Sequence, residues 1–210
     1  TGVVGQVSGD NISFGSASAF NASDSLFESQ GGTFDSVNGN VVVAYRDLGA
    51  SSYGTCVAGT VDPSTNTINF GTPAAFNSST TQDLNSVFDP TANKLVVSYH
   101  LSSSGEIITA SMSGTTFTFD SAAQFNASTA YYNPLTFDST ANKVVVAYRD
   151  SGNSQYGTAK VVSPVGSSEA LTVDTTYYLA IDGSVSASST GNTEIGKAVS
   201  TTKLLLKGAS

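Results

Sequence analysis

One cysteine, one histidine, one methionine and no tryptophan occur among 210 residues. The lone Cys56 excludes a disulfide framework within the chain. The lone His100 has no second histidine or neighbouring cysteine with which to build a metal set or an activated nucleophile. Charged residues make up only 11% of the chain, so Ser, Thr, Asn and Gly must cover most of its surface. Eight basic residues stand scattered against sixteen acidic ones, for a net charge of −8. A phosphate-binding surface needs clustered Lys and Arg, so no nucleic-acid partner is expected. No apolar run approaches the ~20 residues of a membrane-spanning helix, so no membrane insertion is expected. Nucleophile-elbow, metal-cluster and phosphate-loop patterns are all missing, and we expect no enzyme, no cofactor and no metal.

What is present is a repeat. VVVAYRD occurs at 41–47 and again at 144–150, and LVVSYH at 95–100 is a divergent copy. Each is preceded by a Phe-Asp pair, Phe34-Asp35, Phe88-Asp89 and Phe137-Asp138. Short runs of β-branched residues between turn signals read as strands. Their consecutive apolar positions suit a central strand covered on both faces. Around the first copy the pattern predicts strands at 41–46, 53–61 and 67–76, after a first strand ending near Asp35. Four antiparallel strands in a repeat of about 50 residues is the content of one propeller blade. The expected fold is therefore all-β, an array of four-stranded antiparallel propeller-like blades.

Phe20-Asn21-Ala22-Ser23 recurs as Phe76-Asn77-Ser78-Ser79 and Phe125-Asn126-Ala127-Ser128. The chain thus opens halfway through a repeat, with a half repeat at 1–26 and further repeats at 27–80, 81–129 and 130–165. The opening TGVVGQVSGD has no initiator Met and no signal-peptide layout, so a processed chain or part of a longer polypeptide is expected. Beyond 165 the patterning changes. Residues 166–210 read as a small C-terminal β-module, with Asp182-Gly183 as a hairpin signal and strands near 176–181, 193–199 and 203–207.

Two turns recur. In the first, an Asp caps the turn and Gly39, Asn93 or Asn142 supplies the left-handed residue. The second runs Asp47-x-Gly49, then Tyr53, and again Asp150-x-Gly152, then Tyr156. It is similar to the Asp-box turns of sialidase-type propellers, with Tyr in place of Trp, and such boxes are structural staples. Asp47 and Asp150 offer too few carboxylates for a tight calcium site. In the middle copy Leu101, Ser103 and Ile107 stand where Asp, Gly and Tyr are expected, and Ala110 and Ala159 stand where the first copy has Cys56.

Tyr45-Arg46, Tyr99-His100 and Tyr148-Arg149 place an aromatic ring beside a cation or imidazole at equivalent strand ends. They are the candidate binding residues, since aromatic faces with polar neighbours suit a glycan. The alternative is that each Tyr caps a core and each Arg pairs with an Asp. The unit FDxxxNKVVVAYRDxxNSxYGTA at 137–159 resembles repeat arrays in structural proteins of tailed phages, marine ones in particular. The C-terminal module is similar to small β-modules of tail-fibre and capsid-decoration proteins. The resemblance implies a virion-surface or extracellular location, as tail fibre, appendage or decoration subunit. It also implies other virion proteins as partners, a homo-oligomer with the trimer favoured, and contact with host-surface glycans. A stand-alone secreted carbohydrate-binding propeller module is the second reading.

Overall fold

A computed structural model describes residues 1–26 and 31–162, together with the backbone of four C-terminal strands. The chain divides into two compact units, Thr1–Gly166 and Ser167–Ser210. The first unit is built of antiparallel sheets that follow the repeat. A hairpin of β1 (Gly5–Ser8) and β2 (Asn11–Phe14) comes first. Sheet I contains β3 (Ser25–Leu26), β4 (Gly32–Asp35), β5 (Asn40–Asp47), β6 (Tyr53–Asp62), β7 (Thr67–Phe70) and β8 (Ala74–Thr80). β3 and β4 share the inner side of β5, and β7 and β8 share the outer side of β6, so the sheet is four strands wide. Its outer strand is interrupted where Pro73 has no N–H to give to the ladder.

Sheet II repeats this with β9 (Gln82–Asp89), β10 (Lys94–Leu101), β11 (Ser104–Ser113), β12 (Thr116–Phe119) and β13 (Ala123–Asn126). Sheet III has β14 (Ala130–Tyr131), β15 (Leu135–Asp138), β16 (Lys143–Asp150) and β17 (Tyr156–Val162). It is three strands wide among the described residues. The second unit is a sheet of β18 (Thr176–Leu179), β19 (Val185–Ser186), β20 (Thr193–Ser200) and β21 (Lys203–Leu206), in the order β19-β18-β20-β21. The Asp182-Gly183 turn lies outside the described residues.

Turn chemistry explains the hairpins. The Oδ1 atoms of Asp35, Asp89 and Asp138 each accept two backbone N–H bonds, from residues two and three further on, at 2.8–3.1 Å. The turns end on Gly39, Asn93 and Asn142, at φ of 73°, 51° and 53°. In the second turn Asp47 and Asp150 accept from the N–H of Gly49 and Gly152 at 3.0 and 2.9 Å. Ser51-Ser52 and Ser154-Gln155 then take consecutive positive φ values. The middle copy differs from the sequence alignment. Leu101 pairs directly with Ser104, as Asp47 pairs with Tyr53 and Asp150 with Tyr156. Three residues are missing from this turn, so Ser104 stands in place of the tyrosine, and Ile107, not Ala110, is the counterpart of Cys56.

The sheets stack face to face. Side chains alternate along a strand, and Val42 and Ala44 of β5 pack with Leu95, Val97 and Tyr99 of β10. One junction later Val96 of β10 packs with Val144, Val146 and Tyr148 of β16. The expectation of cover on both faces holds for 95–100, which is buried throughout, but not for the last copy. Ala147 is exposed and Val145 half-buried, because nothing among the described residues covers that face of sheet III.

Each junction is closed by a phenylalanine on a tyrosine. The pairs Phe20–Tyr45, Phe76–Tyr99 and Phe125–Tyr148 have ring centroids 5.2, 5.2 and 5.1 Å apart. Phe76 and Phe125 lie over Gly54 and Gly105, where an added Cβ would come within 2.5 and 2.6 Å of the ring. The equivalent Gly157 has nothing within 4 Å. Alanine at Gly54 or Gly105 is therefore expected to cost about 1–3 kcal/mol through overpacking. Alanine at Gly157 should be neutral to within ~0.5 kcal/mol. Equal melting temperatures for all three variants would contradict the seat assigned to the phenylalanines.

Candidate functional site

The strand-end residues singled out in the sequence separate into two groups. Tyr45, Tyr99 and Tyr148 are buried in the junction cores. Burial pushes all three phenols up from their ordinary value, with the charges of Asp47, Glu106 and Asp150 acting in the same direction. Rings held there have no free face for a ligand. Arg46, His100 and Arg149 follow them at the strand ends, each opposite a residue of its sheet's inner strand: Leu26, Gln82 and Tyr131. Arg46 turns to the carbonyl of Thr81, 3.4 Å away.

His100 lines a cleft between sheets II and III, and Arg149 lies over the tyrosines of that cleft. Its volume is about 350 Å³, and Gln82, Asp83, His100, Tyr131 and Tyr132 line it. The His100 ring packs edge-on against Tyr131 with centroids 5.3 Å apart. The Arg149 guanidinium lies over the same Tyr131 ring at 4.5 Å and over Tyr132 at 5.4 Å, within the range of cation–π attraction. His100 Nε2 lies 2.9 Å from Gln82 Oε1, and its Nδ1 3.4 Å from Asp83 Oδ2.

The backbone aims these groups. Asp83 and Tyr132 occupy equivalent places in their sheets, one residue past the partners of His100 and Arg149, and have φ of 50° and 53°. Neither is glycine, and side chains of L-residues avoid this region, so both positions are strained. The register slips here as well, between Ser98 and His100, as at a bulge that redirects a side chain. The Asp83 carboxylate is turned across the junction to accept the Tyr132 N–H at 2.9 Å. Tyr132 in turn stands 64% exposed at the cleft. Gln82 also lines an adjoining cleft of about 300 Å³ with Ser79, Thr80, Leu101 and Ser102, so the groove continues along the end of sheet II.

Asp83, Gln82, Tyr131 and Tyr132 went unnoticed in the sequence because they fall outside the repeated words. The one available signal was the Tyr131-Tyr132 doublet in a segment otherwise made of turn residues. Among the described residues no cluster of three His, Cys, Asp or Glu side chains could hold a metal ion. No described helix is long and apolar enough to cross a membrane. No protein-family model, curated protein or solved structure matches the chain.

Burial works to raise the pKa of the Asp83 carboxyl. The contact with His100 and the Tyr132 N–H bond, with the charge of Arg149, outweigh it and hold the carboxyl below its usual range. A folded value below the unfolded one means that ionised Asp83 stabilises the fold above the unfolded value, ~3.9. That contribution is lost as pH falls through the lower, folded value. Asp83→Asn, whose side chain tolerates positive φ, should therefore flatten the decline in melting temperature below about pH 4. An unchanged acid limb would show that the carboxylate is not held by these partners.

Proposed function

We propose that this chain is a structural repeat protein of a virion surface, and that the cleft between sheets II and III is its contact with host-surface glycan. The virion placement is supported by the resemblance of the FDxxxNKVVVAYRD unit, which also favours a three-fold homo-oligomer in a fibre, appendage or decoration position. The sheets are read as propeller-like blades because consecutive ones stack with equivalent faces and an equivalent Phe–Tyr pair.

The observation that carries the glycan contact is the exposed Tyr132 ring set beside Asp83, His100 and Gln82. A pyranose has an apolar C–H face and a rim of hydroxyls. The C–H face suits an accessible aromatic ring, as Tyr132 offers. The hydroxyls need fixed donors and acceptors, and a few convergent polar groups in a concave site provide them. Asp83 accepts and Gln82 offers both functions. Arg149 further stiffens the platform by lying over both tyrosines. The adjoining cleft at Ser79 and Thr80 would take a second sugar unit.

The test is a glycan array followed by titration of the best ligand. Tyr132→Ala should weaken binding about tenfold, the scale of one lost aromatic contact, without changing the melting temperature. Wild-type protein that retains no glycan, or a Tyr132→Ala variant that binds equally well, would remove this reading.

A further inference from the structure

The two ends of the stacked unit expose matching faces. On sheet III, Val145 opposes Val161 and Ala147 opposes Ala159 across the β16–β17 pair, so all four share one face. Val161 is 65% exposed, and Ala147 and Ala159 are exposed as well. This is the face whose counterparts in sheet I, Val42, Ala44, Cys56 and Ala58, are buried against sheet II. At the other end of the stack, Val7 opposes Ile12 and Gly5 opposes Phe14. Val7, Ile12 and Phe14 are 70%, 59% and 68% exposed. Their counterparts in sheet I, Val61, Ile68 and Phe70, hold the same register, with Gly59 opposite Phe70. In that sheet Phe70 is covered by Phe20, with centroids 5.6 Å apart.

We propose that a second copy of this chain docks its N-terminal hairpin face, Val7, Ile12 and Phe14, on the open face of sheet III. The same kind of contact already joins sheet I to II and II to III, one face of a sheet receiving the opposite face of the next. Among the described residues, one end of the stack has no receiving partner and the other no entering one. A contiguous exposed apolar face is uncommon on a monomer and marks an interface. The two faces are different surfaces, so the contact is heterologous: it closes into a ring or extends as a filament. It stands on these faces alone and is independent of the glycan cleft.

Sedimentation of the whole chain tests it. The wild type should run at multiples of 21.4 kDa. Val161→Asp and Val7→Asp each alter one exposed face, so each should keep its circular dichroism and melting temperature and run as a single chain. Mixed together, they should recover a one-to-one dimer, because each supplies the face the other has lost. A bismaleimide should likewise link Val161→Cys chains to Val7→Cys chains, while buried Cys56 stays unmodified. A wild type that stays a single chain at the highest soluble concentration would overturn the proposal. So would a mixture that fails to pair, or a Val161→Cys, Val7→Cys double variant that links only within one chain.

Discussion

Phenylalanine on tyrosine, three times over, is the contact on which this architecture depends. Phe20, Phe76 and Phe125 end one repeat, and Tyr45, Tyr99 and Tyr148 belong to the next. A buried phenylalanine contributes roughly 1.5–3 kcal/mol by leaving water, and a tilted or edge-on aromatic pair adds about 0.5–1.5 kcal/mol. The pair ties sequential sheets that share no backbone ladder. It also imposes the glycines beneath two of the rings, since Gly54 and Gly105 leave no room for a side chain. The second turn is bound to the previous repeat in the same way: Gly49 and Gly152 sit over Ser23 and Ser128, so the Phe-Asn-x-Ser word carries both contacts.

That constraint displaces the chemistry. With its tyrosines committed to the junctions, the repeated Tyr-Arg or Tyr-His word leaves only its second residue for contact. The cleft then forms where the repeats diverge. Gln82-Asp83 and Tyr131-Tyr132 occupy equivalent positions but share no residue, and together they make a polar and an aromatic wall. A structural repeat supplies the equivalent places, and its departures from uniformity supply the cleft.

Sequence reading went furthest where interactions are local. Strand alternation and turn chemistry depend on residues within a few positions, so the hairpins at Asp35, Asp89 and Asp138 and the strands between them were legible. Burial was not. VVVAYRD at 41–47 and at 144–150 is the same word, yet Ala44 is 1% exposed and Ala147 lies open. Only the next sheet distinguishes them, and no residue inside the word records its presence. The shortened turn at 101–104 misled for a related reason. A three-residue loss leaves the hydrophobic pattern intact while shifting each later equivalence, so strand pairing alone placed Ile107 opposite the role of Cys56. Positive φ at Asp83 accompanies a register slip against the neighbouring strand, and a single sequence displays neither that nor the positive φ of Tyr132.

Whether the Phe–Tyr pairs hold the sheets together is measured directly by a double-mutant cycle on Phe76 and Tyr99. Phe76→Leu, Tyr99→Leu and the double variant would be unfolded by urea alongside the wild type. A coupling energy of about 0.5–1.5 kcal/mol is expected, because each ring's contribution depends on the other. Strictly additive losses would show that the two rings are only neighbours, and that some other contact joins the repeats.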